Sequence, residues 1–156
     1  MDTTALRDAY RTLLDAATTA ADAPAPPDGG WDTDRILAHV SLVGAAALAT
    51  AAGIASGANT TYDNRLAQDP WTLDHVIALT GDRAGLRDRI RLQGEALCAF
   101  GGPALSEREL DTLVPTRLLS GGKVLVDQPL SLRDILTGLA EVELPGHTAQ
   151  LLALLR

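Results

Sequence analysis

Apolar residues recur at helical spacing in one stretch of this chain after another, and that periodicity limits the fold more than any other feature. Leu6, Tyr10, Leu13, Leu14 and Ala17 share one face of a helix expected over 3–21. Ile36, Val40, Val43 and Ala47 do the same in a second helix, which Gly53 or Gly57 would end. Aromatic residues make up only 3% of the chain and apolar residues 46%, so the core must be built from Leu, Val, Ile and Ala. Alanine and leucine lose little rotamer freedom in a helix. The expected class is all-α, with helix in more than about half the residues. The 156 residues suit one domain over 1–156, a four-helix bundle with a small β-hairpin in the crossover before its last helix.

Proline, glycine and capping residues set the boundaries. The segment Ala23-Pro24-Ala25-Pro26-Pro27-Asp28-Gly29-Gly30 forbids continuation of the first helix. Asp32 is placed to cap the second helix, with Trp31 and Ile36 positioned as a hydrophobic staple. A polar loop over 59–70 contains Tyr62-Asp63-Asn64-Arg65. A third helix is expected over 71–100, with a break or kink at Gly81-Asp82 and Gly85. Gly101-Gly102-Pro103 stops it. Ser106 and Glu109 form a capping-box pattern for a short helix over 107–113. Thr116 to Leu119 and Lys123 to Val126 flank Gly121-Gly122 as a hairpin that Pro129 closes, and Ser131 caps a last helix reaching Leu154.

Several function classes are disfavoured. The net charge is −7, Lys123 is the only lysine, and no basic cluster is present, so nucleic acid is not an expected partner. The apolar stretch over 40–54 is interrupted by Ser41, Gly44, Thr50 and Gly53 and is expected to fall short of a membrane span. The N-terminal residues lack the basic and apolar regions of a signal peptide, so a cytoplasmic protein is expected. Cys98 is the single cysteine, which excludes an intramolecular disulfide, and a packed, inert thiol is expected there.

The three histidines, His39, His75 and His147, carry the functional signal. His39 lies among Ile36, Val40 and Val43 and faces the core or its edge. In the last helix Leu136, Leu139, Leu151 and Leu154 form an apolar stripe, and Glu143 and His147 occupy it between them at i and i+4. A carboxylate on a core stripe needs a hydrogen-bonded partner or a cation. A Glu–His hydrogen bond and a buried structural His39 form one reading. The other is a metal site, because imidazole and carboxylate are ordinary zinc ligands, and three protein ligands leave a fourth position open.

The run Trp31-Asp32-Thr33-Asp34-Arg35-Ile36-Leu37-Ala38-His39-Val40 resembles the signature of mycothiol-dependent maleylpyruvate isomerases, within the wider DinB-like superfamily. Glu143-Leu144-Pro145-Gly146-His147 is similar to that family's Glu-x-x-x-His motif, and His147-Thr148-Ala149-Gln150-Leu151 to the His-x-x-Gln-Leu of DinB-like last helices. The resemblance implies a four-helix bundle holding one divalent metal, usually zinc or nickel, on His39, Glu143 and His147. It also implies a low-molecular-weight thiol cofactor, mycothiol in actinobacteria and bacillithiol in firmicutes. The implied chemistry is thiol transfer to an electrophile or thiol-assisted isomerisation of a small metabolite. The chain departs from the pattern in two ways. Pro145-Gly146 lies between two of the ligands, so a kink is expected there. The family's isomerases also carry a further C-terminal domain with catalytic residues, so a substrate other than maleylpyruvate is expected.

Weaker candidates surround this set. His75 is a candidate general base, although packing or capping at the start of the third helix is the commoner role for such a residue. Arg65 and Arg117 are candidates to hold a substrate carboxylate by two-pronged contacts. Tyr62 and Asn64 are candidates for cofactor binding. A metal-dependent hydrolase of the same fold is the enzymatic alternative. A metal-free bundle that binds a small molecule, or pairs as a homodimer, is the alternative of a different class.

Overall fold

The computed structural model describes residues 1–27 and 29–156, so Asp28, part of the Pro/Gly segment, lies outside the described residues. About two thirds of the chain is helical, in about four major helices, with a β-hairpin before the last. Helix α1 (Thr4–Thr19) buries Leu6, Tyr10, Leu13 and Ala17, as its periodicity predicts. Helix α2 (Thr33–Ala55) starts where the Asp32 carboxylate accepts the Arg35 N–H at 2.9 Å. It buries thirteen residues, among them Ile36, His39, Val40, Val43 and Ala47. Its mean hydropathy reaches 1.7, so by length and composition it could cross a membrane, contrary to the sequence expectation. Yet 61% of that window is buried inside the protein, as befits the central helix of a bundle.

The expected third helix is two helices, α3 (Pro70–Thr80) and α4 (Arg83–Ala99). Gly81 separates them with φ +80, a conformation glycine adopts without a Cβ penalty, and Asp82 caps α4 by accepting the Gly85 N–H. Helix α1 crosses α4 closely at Gly94, where a Cβ would stand 2.7 Å from the Tyr10 ring. A π turn at Phe100–Ala104 ends α4, and the Ser106/Glu109 capping box opens α5 (Glu107–Leu110).

The hairpin is longer than expected. Strand β2 (Leu113–Ser120) pairs antiparallel with β3 (Lys123–Ser131), and Pro129 sits inside β3 opposite Pro115 rather than closing it. The outer edge of β3 has no ladder partner among the described residues, which is where proline is tolerated in a sheet. A third strand, β1 (Tyr62–Asp63), lies parallel to β2 and emerges from the segment read as loop. Sequence periodicity cannot reveal a two-residue strand.

Ser131 caps the final helical rod. The rod consists of α6 (Leu132–Gly138), a π turn (Leu139–Glu143) and α7 (Leu144–Ala153). Within the turn, the Leu144 N–H donates to the carbonyl of Leu139, five residues back. Leu132, Ile135, Leu136, Leu139, Leu144, Thr148 and Leu151 are buried along the rod. The buried stripe therefore steps by five from Leu139 to Leu144, and Glu143 and His147 lie beside it instead of on it. Leu154, expected on the stripe, is half-buried. The rod packs on α1 and α2, and α2 packs on α3 and α4. Each fully buried leucine contributes roughly 1.5–3 kcal/mol relative to exposure. The packed leucines hold α2 and the rod in one mutual register, which positions the site.

Candidate metal centre

His39, Glu143 and His147 meet where α2 faces the rod. One ligand atom from each lies within 4.8 Å of the other two, a grouping that could hold a metal ion. Glu143 Oε1 is 3.1 Å from His39 Nε2 and 3.3 Å from His147 Nε2. The two imidazole centroids are 4.6 Å apart. Glu143 and His147 converge across Pro145-Gly146. The π turn widens the rod just before the proline, and the backbone at Gly138, Glu143 and Leu144 stays helical on both sides of it.

Each imidazole is oriented from behind. His39 Nδ1 is 2.7 Å from the Ala67 carbonyl, which only accepts, so Nδ1 carries the proton. His147 Nδ1 donates to Gln150 Oε1 at 2.9 Å. Both Nε2 atoms face the Glu143 carboxylate, each as a lone pair in the neutral ring and as an N–H donor when the ring is protonated. Two lone pairs and an anion around one point repel unless a proton or a metal cation lies among them. The donor separations of 3.1 and 3.3 Å are close to the edge of a tetrahedron around zinc, about 3.4 Å for bonds of roughly 2.0–2.1 Å. A hydrogen-bonded outer shell of this kind fixes tautomer and ring direction at zinc sites.

The electrostatics agree with this geometry. Hydrogen bonds from His147 and His39 hold the Glu143 carboxyl down at about 2, against the burial that would raise it. Burial opposes charge on His147, but hydrogen bonds with Glu143 and Gln150 outweigh it and raise the imidazole above its ordinary value. Burial, and next the charge of Glu143, pushes the Tyr62 phenol well above its usual range, so it keeps its proton. The same phenol lines the cavity that opens over the cluster.

That cavity holds about 820 Å³ between the hairpin and the rod. Trp31 forms part of its wall, 5.1 Å from the His39 ring between centroids. The expected staple residue is therefore half-buried and also a site residue, while Ile36 beneath is fully buried. Tyr62 lines the cavity as a polar group. Asn64 lines it too, but its amide is engaged: Nδ2 donates to the Leu119 carbonyl at 3.0 Å and Oδ1 accepts the Leu119 N–H at 2.8 Å. Asn64 thus extends the pairing of β1 with β2 and holds the wall of the cavity. Gln68 also donates to the Leu119 carbonyl.

The remaining candidates lie elsewhere. Arg65 is exposed and held by Asp63, with Nη2 at 2.6 Å and Nε at 2.7 Å from the same oxygen. Arg117 is exposed on β2 beside the buried Thr116, on the opposite face. His75 is exposed and stacks on Trp71 with centroids 4.9 Å apart and planes 10° apart, which leaves it a surface packing residue. Among the described residues, none of these three lines the cavity. Cys98 is buried between α1 and α4 with its thiol pushed up by burial, in keeping with an inert packed thiol. Sequence reasoning did not find Trp31 as a wall residue, Gln150 as the partner of His147, or the Ala67 carbonyl. Only Gln150 left a signal, the i, i+3 spacing from His147.

Compared with models of known protein families, with curated proteins and with solved structures, the chain matches none of them.

Proposed function

We propose that His39, Glu143 and His147 hold one divalent cation, zinc before nickel, and that the protein is a metal-dependent enzyme. It would transfer or isomerise through a low-molecular-weight thiol of the mycothiol type, acting on a small electrophilic metabolite. The observation that carries the metal is the pair of Nδ1-anchored imidazoles aimed at one carboxylate beneath a cavity. The thiol rests on the resemblance of the 31–40 and 143–151 segments to mycothiol-dependent and DinB-like proteins. A cation bound there would lower the pKa of a thiol or of water and supply a nucleophile at neutral pH. Around it, Ala67 and Gln150 hold the imidazoles in place. Tyr62, kept protonated, is a hydrogen-bond donor for charge that develops in the cavity. The net charge of −7 supports a small molecule rather than nucleic acid as partner.

One observation favours water as nucleophile, and so a hydrolase. The cavity wall carries no lysine or arginine among the described residues, and a large polar thiol would meet few charged partners there. Cobalt substitution separates the readings. The chain should bind about one equivalent of zinc or cobalt, and His39→Ala should lose it. Adding mycothiol to the cobalt form should produce a thiolate-to-cobalt absorption band in the near ultraviolet. A cobalt spectrum that ignores the thiol would leave the hydrolase. Failure to take up either metal would leave a metal-free binding or dimerising bundle.

A further inference from the structure

The wall of the metal-facing cavity is chemically one-sided. Leu118, Leu119 and Leu125 from the hairpin face Ile135, Leu139 and Val142 from the rod. A register shift beside Leu118 and Leu119 makes Leu125 the extra, bulged residue of β3, and all three leucines reach the cavity while Arg117 stays outside. The charged side chains of the wall, apart from the histidines, are both acidic: Glu143 and Asp134. Asp134 accepts the Ser131 hydroxyl at 2.7 Å at the start of α6. Arg65, the cation closest in sequence to the wall residues Tyr62 and Asn64, is tied to Asp63. The apolar character continues to the mouth, where Val142 and Leu125 are 70% and 67% exposed.

From this lining we infer that the site takes an uncharged, largely apolar substrate carrying one electrophilic group, and not a carboxylate. The inference rests on the metal-dependent reading for the chemistry, but the lining alone sets the preference. Away from a cation on His39, Glu143 and His147, a carboxylate entering this space would lose water without gaining an arginine or lysine, and it would face Asp134. An apolar body would instead cover leucine and valine surface at about 25 cal/mol per Å². A cavity of about 820 Å³ lies in the range that encloses drug-sized molecules, so a small dicarboxylate would leave most of the wall wet. The sequence expectation of an arginine-held carboxylate is replaced by hydrophobic recognition.

Equilibrium dialysis with two probes of matched size tests this. 2-Acetylnaphthalene is neutral, and 2-naphthoate carries a carboxylate in the same place. Against the metal-free chain the ketone should bind at least roughly tenfold more tightly. Val142→Arg places a cation at the rim in an exposed position and should improve naphthoate binding by about tenfold, with Leu125→Arg as a second variant of the same design. Equal or tighter binding of naphthoate to the unaltered chain would overturn the inference, and so would failure of both probes to bind. Zinc uptake is measured by adding zinc to a second portion of the same metal-free preparation. A chain that takes up zinc but shows no ketone preference refutes the apolar substrate and keeps the metal. A chain that prefers the ketone but takes up no zinc refutes the metal and keeps the apolar cavity.

Discussion

Two helices deliver candidate metal ligands to the same point in opposite ways. Helix α2 runs as an unbroken α-helix of 23 residues, and His39 arrives on its buried face at the 3.6-residue period. The final rod reaches the site across a π turn with a proline two residues beyond Glu143. Burial fixes His39, which is 4% exposed, with the Ala67 carbonyl behind it. Glu143 and His147 sit at the edge of the core and depend on each other and on Gln150. A ligand inside a regular helix is held by the core; a ligand beside an irregular turn is held by its own polar contacts. Single π turns inside helices are frequent at functional sites, and here the turn moves Glu143 off the packed face.

This contrast can be broken experimentally. The largest effect is expected for His147→Ala, which removes a ligand and should reduce zinc affinity by more than about 100-fold in metal-competition titrations, beyond the effect of outer-shell changes. Retained affinity would remove α7 from the site. Gln150→Ala leaves the ligands in place but frees the His147 ring, and a loss of roughly 10–100-fold is expected from the same titration. No loss would mean that the rod holds His147 as rigidly as α2 holds His39.

A smaller effect concerns pH in the metal-free chain. Glu143 is held at about 2, below its ordinary 4.5, so it stabilises the fold above 4.5 and loses that contribution as pH falls toward about 2. His147 is raised above 6.5, so its contribution is complete below 6.5 and is lost as pH rises through the raised value. The urea midpoint should fall on both sides, and Glu143→Gln should flatten both limbs. An unchanged profile in that variant would place the pH dependence outside the rod. The smallest effect is expected for Pro145→Ala. Proline inside a regular helix costs about 3 kcal/mol, but here the π turn already interrupts the ladder beside it. A change below about 1 kcal/mol in urea unfolding is expected, with zinc uptake retained. A gain near 3 kcal/mol would show that the proline strains the rod.

Much of the architecture was legible because it is local. Asp32, Ser106 and Ser131 cap the helices they were expected to cap, since a cap needs only its own next three residues. The break at Gly81 and the hairpin turn at Gly121-Gly122 follow from backbone freedom at those positions, where φ is positive. The candidate ligand trio was legible as three residue types near apolar stripes. Its reason was misread: Glu143 and His147 were expected on the stripe, whereas the step from Leu139 to Leu144 moves the stripe by one residue and leaves them at its edge. That five-residue spacing was visible in the sequence, but a single leucine offset identifies a π turn only once packing shows which leucines are buried.

The chain alone therefore determined most helices, their N-terminal caps and the residue types of the three candidate ligands, because propensity, capping and periodicity act within a few residues. The tertiary structure decided which polar groups share a space. It brought His39 to Glu143 across 104 positions of sequence, turned His75, Arg65 and Arg117 away, and made Trp31 and the hairpin leucines into walls. Those outcomes depend on the register between packed helices and on one bulge in β3, and both are set by close packing of side chains from distant segments.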